Sequence, residues 1–224
     1  MISSDNCWLK NNCNKIDCNS PMCMRLYKLD YLYNQANISM TQRQHINLRL
    51  DSDLRDKDAF VRLKSIEDDI INFVKGGYSV YIHSQNCGNG KTSWALRFAQ
   101  SYLNKIWLKS SLECKVLFIN VPRFLLALKD NISEKSDYVQ HIKENVLNCD
   151  LVIWDEIGTK SLSTFEHENV LNLVNARIDS GKSNIYTSNL TNDELHTAVG
   201  DRLYSRIVEL SSDIELFGSD KRGL

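Results

Sequence analysis

The stretch 78–98, YSVYIHSQNCGNGKTSWALRF, constrains this chain more than any other. Val80 and Ile82 alternate with less apolar neighbours, a strand pattern that runs into a polar loop containing two glycines. From Lys91 onward, Trp94, Ala95, Phe98, Ala99, Tyr102 and Leu103 recur at helical spacing on one stripe. The order is strand, loop, helix, and the loop is suited to holding an anion. Gly88 and Gly90, on either side of Asn89, have no Cβ, so the backbone can take positive φ and turn successive N–H groups towards one point at the helix N-terminus. Lys91 then reaches the β- and γ-phosphates of a nucleoside triphosphate, and the hydroxyl of Thr92, followed by Ser93, serves Mg²⁺. The usual G-x-x-x-x-G-K-[ST] pattern begins with glycine; this chain has Gln85 there. A lysine-capped surface turn is the plainer reading, but the flanking strand and amphipathic helix favour the phosphate cradle.

A second constellation supports it. Leu151-Val-Ile-Trp154 runs directly into Asp155 and Glu156, so two acids stand at the carboxyl end of an expected strand. Open α/β sheets bind ligands at that end, which would set both acids before the phosphates that Lys91 holds. Asp155 would hold the hydrated Mg²⁺, and Glu156 would orient and polarise an attacking water. Asn189 closes another expected strand, 184–189, where an amide can bond both the γ-phosphate and the water. Arg202 and Arg206, spaced i, i+4, are expected on one side of a helix, and a site with no arginine of its own invites one in trans.

The rest of the chain fits alternating strands and helices. Asp58 is expected to cap a helix through Phe60, Leu63, Ile70, Phe73 and Val74 that stops at Gly76-Gly77. A buried strand is expected over 115–121, helices over 123–149, capping boxes at Ser163/Glu166 and Thr191/Glu194, and a last strand over 214–217. This is an α/β layer fold. In 224 residues, 27 Lys plus Arg nearly balance 28 Asp plus Glu, so bulk charge singles out no polyanion and a nucleic-acid contact must come from a local patch. No apolar run is long enough to cross a bilayer, and the polar start MISSDNCWLKNN does not read as a signal peptide, so a cytoplasmic location and no membrane partner are expected.

Seven cysteines, an odd number, argue for a reducing compartment. Four of them, Cys7, Cys13, Cys18 and Cys23, crowd a polar segment too small to fold without a staple. Tetrahedral Zn²⁺ is the favoured ligand, with an iron–sulfur cluster or free thiols as alternatives. Cys87, Cys114 and Cys149 read as small buried apolar residues. The domain expectation is a cysteine-rich module at 1–34, including a short helix with Leu26, Leu29 and Tyr33, then a linker at 35–58 and the main domain at 59–224.

GNGKTS at 88–93, LVIWDEIG at 151–158, IYTSNLT at 185–191, DRLYSRI at 201–207, GSDKR at 218–222 and the leading cysteines together resemble AAA+ ATPases of the DnaC/DnaI helicase-loader group, above all its compact bacteriophage versions. The resemblance implies an AAA+ P-loop NTPase fold with a five-stranded parallel sheet, plus a zinc module that docks on the replicative DNA helicase. It implies ATP hydrolysis with Mg²⁺, head-to-tail self-association and contact with single-stranded DNA. Asn189 would be the first sensor, Arg206 the arginine finger, and Arg222 a second sensor. Six residues follow Gly218, so no C-terminal helical lid is expected. An IstB-like transposition ATPase shares the motifs, and a helicase-binding inhibitor with little turnover is a rival from another class.

Overall fold

The computed structural model describes residues 23–44, 46, 48, 54–131, 135–159 and 161–220. Strands β1 (Ser79–His83), β2 (Val116–Asn120), β3 (Leu151–Asp155), β4 (Ser183–Ser188) and β5 (Ser212–Glu215) form one parallel sheet in the order β2-β3-β4-β1-β5. Side chains alternate across it. Val80, Ile82, Phe118, Ile153 and Ile185 enter a core shared with helices α1 (Met24–Gln35), α2 (Lys57–Asp68), α3 (Ile70–Lys75) and α4 (Lys91–Ile106). Tyr81, Ile119, Val152, Trp154 and Tyr186 enter a second core with α5 (Val121–Asp130), α6 (Asp137–Asn145), α7 (Thr164–Asp179) and α8 (Asn192–Tyr204). Helices on both faces explain why the strands read as near-continuous apolar runs. The expected α4 stripe, Trp94 to Leu103, is buried against the first face. Both capping boxes form, Ser163/Glu166 on α7 and Thr191/Glu194 on α8.

Several expected boundaries move. The helix expected from Asp58 to Val74 is two helices, broken at Asp69 (φ −106°, ψ 28°), and the residue before its first turn is Asp56. The last strand is Ser212–Glu215, because its register against Val80–His83 ends at Glu215. Arg202 lies in the last turn of α8 and Arg206 in a π-helical turn, Ser205–Glu209, that continues directly from it, while Gly200 (φ 74°, ψ 164°) kinks α8 ahead of both.

The expected break between an amino-terminal module and the main domain is not where the packing falls. Leu29, Leu32 and Tyr33 of α1, then Ala36 and Ile38, belong to the first core, and Phe118 N–H donates to Ala36 O at 2.8 Å beside the sheet edge. Arg43 Nε donates to Ile38 O (2.9 Å), and Gln100 of α4 reaches Gln42 O (2.9 Å), which ties the stretch 38–43 to the rest of the fold. Residues 1–22 are outside the described residues.

The amino edge of the sheet carries structural devices. Gly77 turns into β1 at φ 67°, and a Cβ there would stand 2.4 Å from Gly181 O, so two helix-ending glycines let the chain pass at backbone contact. Arg177 of α7 is 0% exposed, yet its guanidinium is satisfied by Asn184 Oδ1 (2.8 Å) and the carbonyls of Val146 (2.5 Å), Cys149 (3.1 Å) and Ser183 (2.6 Å). Removing it would orphan carbonyls in a dry site, each at about 1–3 kcal/mol. Arg177→Ala is therefore expected to destabilise the fold by at least about 3 kcal/mol, read from the denaturant midpoint.

Candidate functional site

Because all five strands run the same way, their carboxyl ends emerge on one edge, and the loops there enclose a cleft of about 260 Å³. It is lined by 87–93 of the loop after β1, by Glu156 after β3, and by Thr187, Ser188 and Asn189 at the end of β4. Gly88 (φ 73°) and Gly90 (φ 108°) occupy the left-handed region, and Gly90 is the N-cap of α4. The cradle geometry expected from sequence is present. Gln85, where the pattern has glycine, is exposed and not among the positive-φ residues, so the turn closes there with an ordinary backbone. Nearby, the Thr191 backbone and hydroxyl hold the Glu194 carboxyl below its ordinary range.

Lys91 is buried along the loop, with Nζ donating to Asn86 O (2.8 Å), Ser84 O (3.2 Å) and Asn89 Oδ1 (3.2 Å). The neighbouring Thr92 Oγ1 donates to Asp155 Oδ1 at 2.8 Å. A hydroxyl and a carboxylate oxygen thus meet at the head of α4, an all-oxygen donor pair of the kind Mg²⁺ takes alongside phosphate oxygens and water. Asp155 is 4% exposed. Burial raises its carboxyl above the ordinary range, against the opposing bonds from Thr187 and Thr92.

Glu156 turns away from Asp155 at φ 60°, an uncommon conformation for a non-glycine residue. Thr187 Oγ1, which donates to Asp155 Oδ1 (2.8 Å), accepts from Glu156 N–H (3.0 Å) and pins that turn. Glu156 Oε2 accepts from Asn120 Nδ2 at 3.0 Å, and the same asparagine caps α5 through Arg123 N–H. Neither Thr187 nor Asn120 was singled out by sequence. The available signal was their place near strand ends: Asn120 is the polar residue next to the carboxyl end of the expected strand 115–121, and Thr187 lies two residues before Asn189.

Lys91, Thr92, Asp155, Glu156 and Asn189 are thus brought together, but other expected site residues are not. Arg206 is exposed, lies outside the cleft-lining set, and donates from Nε to Asn175 Oδ1 of α7 at 2.8 Å. Arg222, Cys7, Cys13 and Cys18 lie outside the described residues, while Cys23 caps α1, its sulfur accepting from Leu26 N–H at 3.5 Å. Among the described residues, no group of three or more His, Cys, Asp or Glu side chains could hold a metal ion. Cys114 and Cys149 are buried as expected, but Cys87 is exposed on the phosphate loop. Among the described residues, no helix is long and apolar enough to cross a membrane.

A parallel α/β sheet with a Gly-x-Gly-Lys-Thr loop on β1 and an acid pair on β3 defines a P-loop nucleotide-binding protein. The family model for IstB-like ATP binding protein matches residues 71–209, and the chain belongs to that family. The replicative helicase loader DnaC of Escherichia coli strain K12 is 25% identical over 132 residues, which is 59% of this chain and 51% of that protein. The chain therefore spans about half the length of the curated relatives it matches. The crystal structure of the DnaC helicase loader superposes with a TM-score of 0.59 at 20% identity, covering 72% of this chain and 89% of that one. The replication initiator DnaA bound to AMPPCP and single-stranded DNA superposes at 0.56 with 18% identity, covering 73% and 47%. Both structures share this fold.

Asp155 is more costly ionised in the folded protein than in the unfolded chain, so its charge subtracts stability above the unfolded carboxylate range. Asp155→Asn keeps an oxygen for Thr92 and Thr187 without that charge. It is expected to raise the melting temperature at pH 7, and the gain should shrink as pH falls and the wild-type carboxyl protonates. A lower melting temperature at pH 7 would contradict the account.

Proposed function

We propose that this protein binds ATP with Mg²⁺, hydrolyses it, and uses the cycle to deliver a replicative DNA helicase to single-stranded DNA. The observation that carries the ATPase reading is the convergence of Lys91 and Thr92, Asp155 and Glu156, and Asn189 on one cleft from three parallel strand ends. Triphosphate oxygens would replace the carbonyls that now accept from Lys91 Nζ, and the N–H groups from Gly88 to Thr92 would cradle the β-phosphate. Thr92 Oγ1 and Asp155 would hold Mg²⁺, which would supply electrostatic stabilisation of the charge that builds up as the phosphoryl group leaves. Glu156 would release Asn120 and accept a hydrogen bond from water, raising its nucleophilicity, while Asn189 fixes the γ-phosphate from the other side. Transfer would break the γ-phosphorus–oxygen bond to the leaving ADP and form one to the water oxygen, whose released proton Glu156 would take and pass on to solvent.

Arg206, exposed and away from its own cleft, supports a role on the nucleotide of a neighbouring subunit in a head-to-tail assembly. The relatives named as helicase loaders support the helicase as partner, and the DnaA likeness is consistent with single-stranded DNA. A zinc module built on Cys7, Cys13, Cys18 and Cys23 belongs to the same proposal, as the part that docks on the helicase. A second reading follows from the family match itself: an IstB-like ATPase serving DNA transposition. Copurification with a replicative helicase, tested with and without residues 1–22, separates them. A DNA-stimulated ATPase with no helicase affinity would favour the second reading.

Lys91→Ala is expected to weaken ATP binding by about 10- to 100-fold in titration calorimetry. Glu156→Gln should bind ATP like wild type and turn over about 10² to 10⁴ times more slowly; equal turnover would remove its water-activating role. Arg206→Ala should slow turnover of the assembled protein and leave ATP binding by isolated subunits intact. A large loss of binding by isolated subunits would contradict action in trans.

A further inference from the structure

Asp56 immediately precedes α2, where a carboxylate usually caps the helix, yet its side chain bonds none of the helix N–H groups. It is 4% exposed. Its two oxygens accept instead from the backbone N–H groups of Phe217 (2.6 Å) and Gly218 (2.9 Å), in the segment after β5. The carbonyls of that segment meet the phosphate loop. Asn89 Nδ2 donates to Leu216 O (3.3 Å), and Asn86 Nδ2 donates to Phe217 O (3.1 Å) and Gly218 O (3.2 Å). Asn86 and Asn89 in turn supply two of the oxygens that accept from Lys91 Nζ. An unbroken run of hydrogen bonds therefore leads from Asp56 through 216–218 to Asn86, Asn89 and Lys91.

Neither Asp56 nor residues 216–218 line the cleft. We infer that Asp56 is a positioning residue for the phosphate loop, acting through 216–218 and the two asparagines. Buried carboxylate oxygens that accept two backbone N–H groups fix the segment, since parting would leave a charge and two donors unpaired in a dry site. The fixed carbonyls then hold Asn86 and Asn89, and the loop meets its ligand already shaped. A loop cut loose from this brace pays its ordering entropy when the ligand binds, so affinity falls. On the proposed reading, chemistry after binding depends on Asp155, Glu156 and Asn189, at and just past the ends of β3 and β4. The inference rests on the nucleotide reading of the cleft, and it concerns binding rather than the hydrolytic step.

The test uses the full chain and Mg·ATP, with wild-type binding measured first by calorimetry. Asp56→Ala and Asn86→Ala are each expected to raise Kd about tenfold. The double variant should be no weaker than the weaker single one, because both changes cut one chain of bonds. Turnover of Asp56→Ala at saturating ATP should stay within about twofold of wild type, while KM rises with Kd. Asp56→Asn, which keeps one accepting oxygen, should restore part of the affinity, and it carries the test with Asn86→Ala if Asp56→Ala does not fold. Unchanged Kd in folded variants, multiplying effects in the double variant, or turnover falling in step with affinity would each overturn the inference. A wild-type chain that binds no ATP would instead sink the nucleotide reading, and this one with it.

Discussion

Asp155 Oδ1 accepts from two hydroxyls at 2.8 Å, Thr92 at the head of α4 and Thr187 near the end of β4. β4 lies between β3 and β1 in the sheet, so this one oxygen ties the acid strand to its neighbour and to the phosphate-loop helix beyond it. The arrangement requires strands that run the same way. Reversing a single five-residue strand would carry its tip about 16 Å to the opposite edge of the sheet. Parallel pairing therefore decides the chemistry, and the crossover helices that parallel pairing demands supply both apolar covers.

The two edges of the sheet are stabilised in different ways. At the amino edge, Arg177 answers backbone carbonyls with a full set of donors, and Gly77 and Gly181 allow contact that no side chain would permit. At the carboxyl edge the chain accepts features that work against stability: a buried carboxylate raised above its ordinary range and a glutamate at positive φ. Concentrating such features where a ligand would bind is what selection for function rather than stability produces.

What could be read from the sequence was set by range. The α4 stripe, the two capping boxes and the β3 run ending in Asp155-Glu156 are local patterns, and they formed where expected. The convergence of Lys91, Thr92, Asp155, Glu156 and Asn189 was also legible, because strand direction follows from alternation with helices. Thr187 and Asn120 escaped because their roles arise from cross-strand neighbours, and a lone Thr or Asn at a strand end has many uses. The packing of α1 escaped for a related reason. Its helix was foreseen, but its mixed Leu and Tyr pattern does not name the surface that buries it, and the polar residues after it concealed Ala36 and Ile38. Asp56 was hidden because it fell in the expected linker 35–58, two residues before the expected cap Asp58, while its partners Phe217 and Gly218 lie 161 and 162 residues further on.

A nucleotide switch needs contacts that differ between triphosphate and diphosphate states, because a ligand moves an equilibrium only by its differential affinity for the two states. On the proposed reading, Glu156 and Asn189, which line the cleft together with Thr187 and Ser188, would face a γ-phosphate from beyond the loop. Their connections are different. Glu156 is tethered to Asn120, and Asn120 caps α5, so freeing the carboxylate bears on the start of that helix. Asn189 stands two residues before Thr191, the N-cap of α8, so its motion bears on the helix that leads through the Gly200 kink to Arg206. On that reading, loss of a γ-phosphate would be felt at two helix N-termini on the same face of the sheet, one of them leading to Arg206, proposed to act on a neighbouring subunit. On the proposed reading, hydrolysis changes how subunits hold one another through α8, and the local geometry of the cleft becomes a property of the assembly.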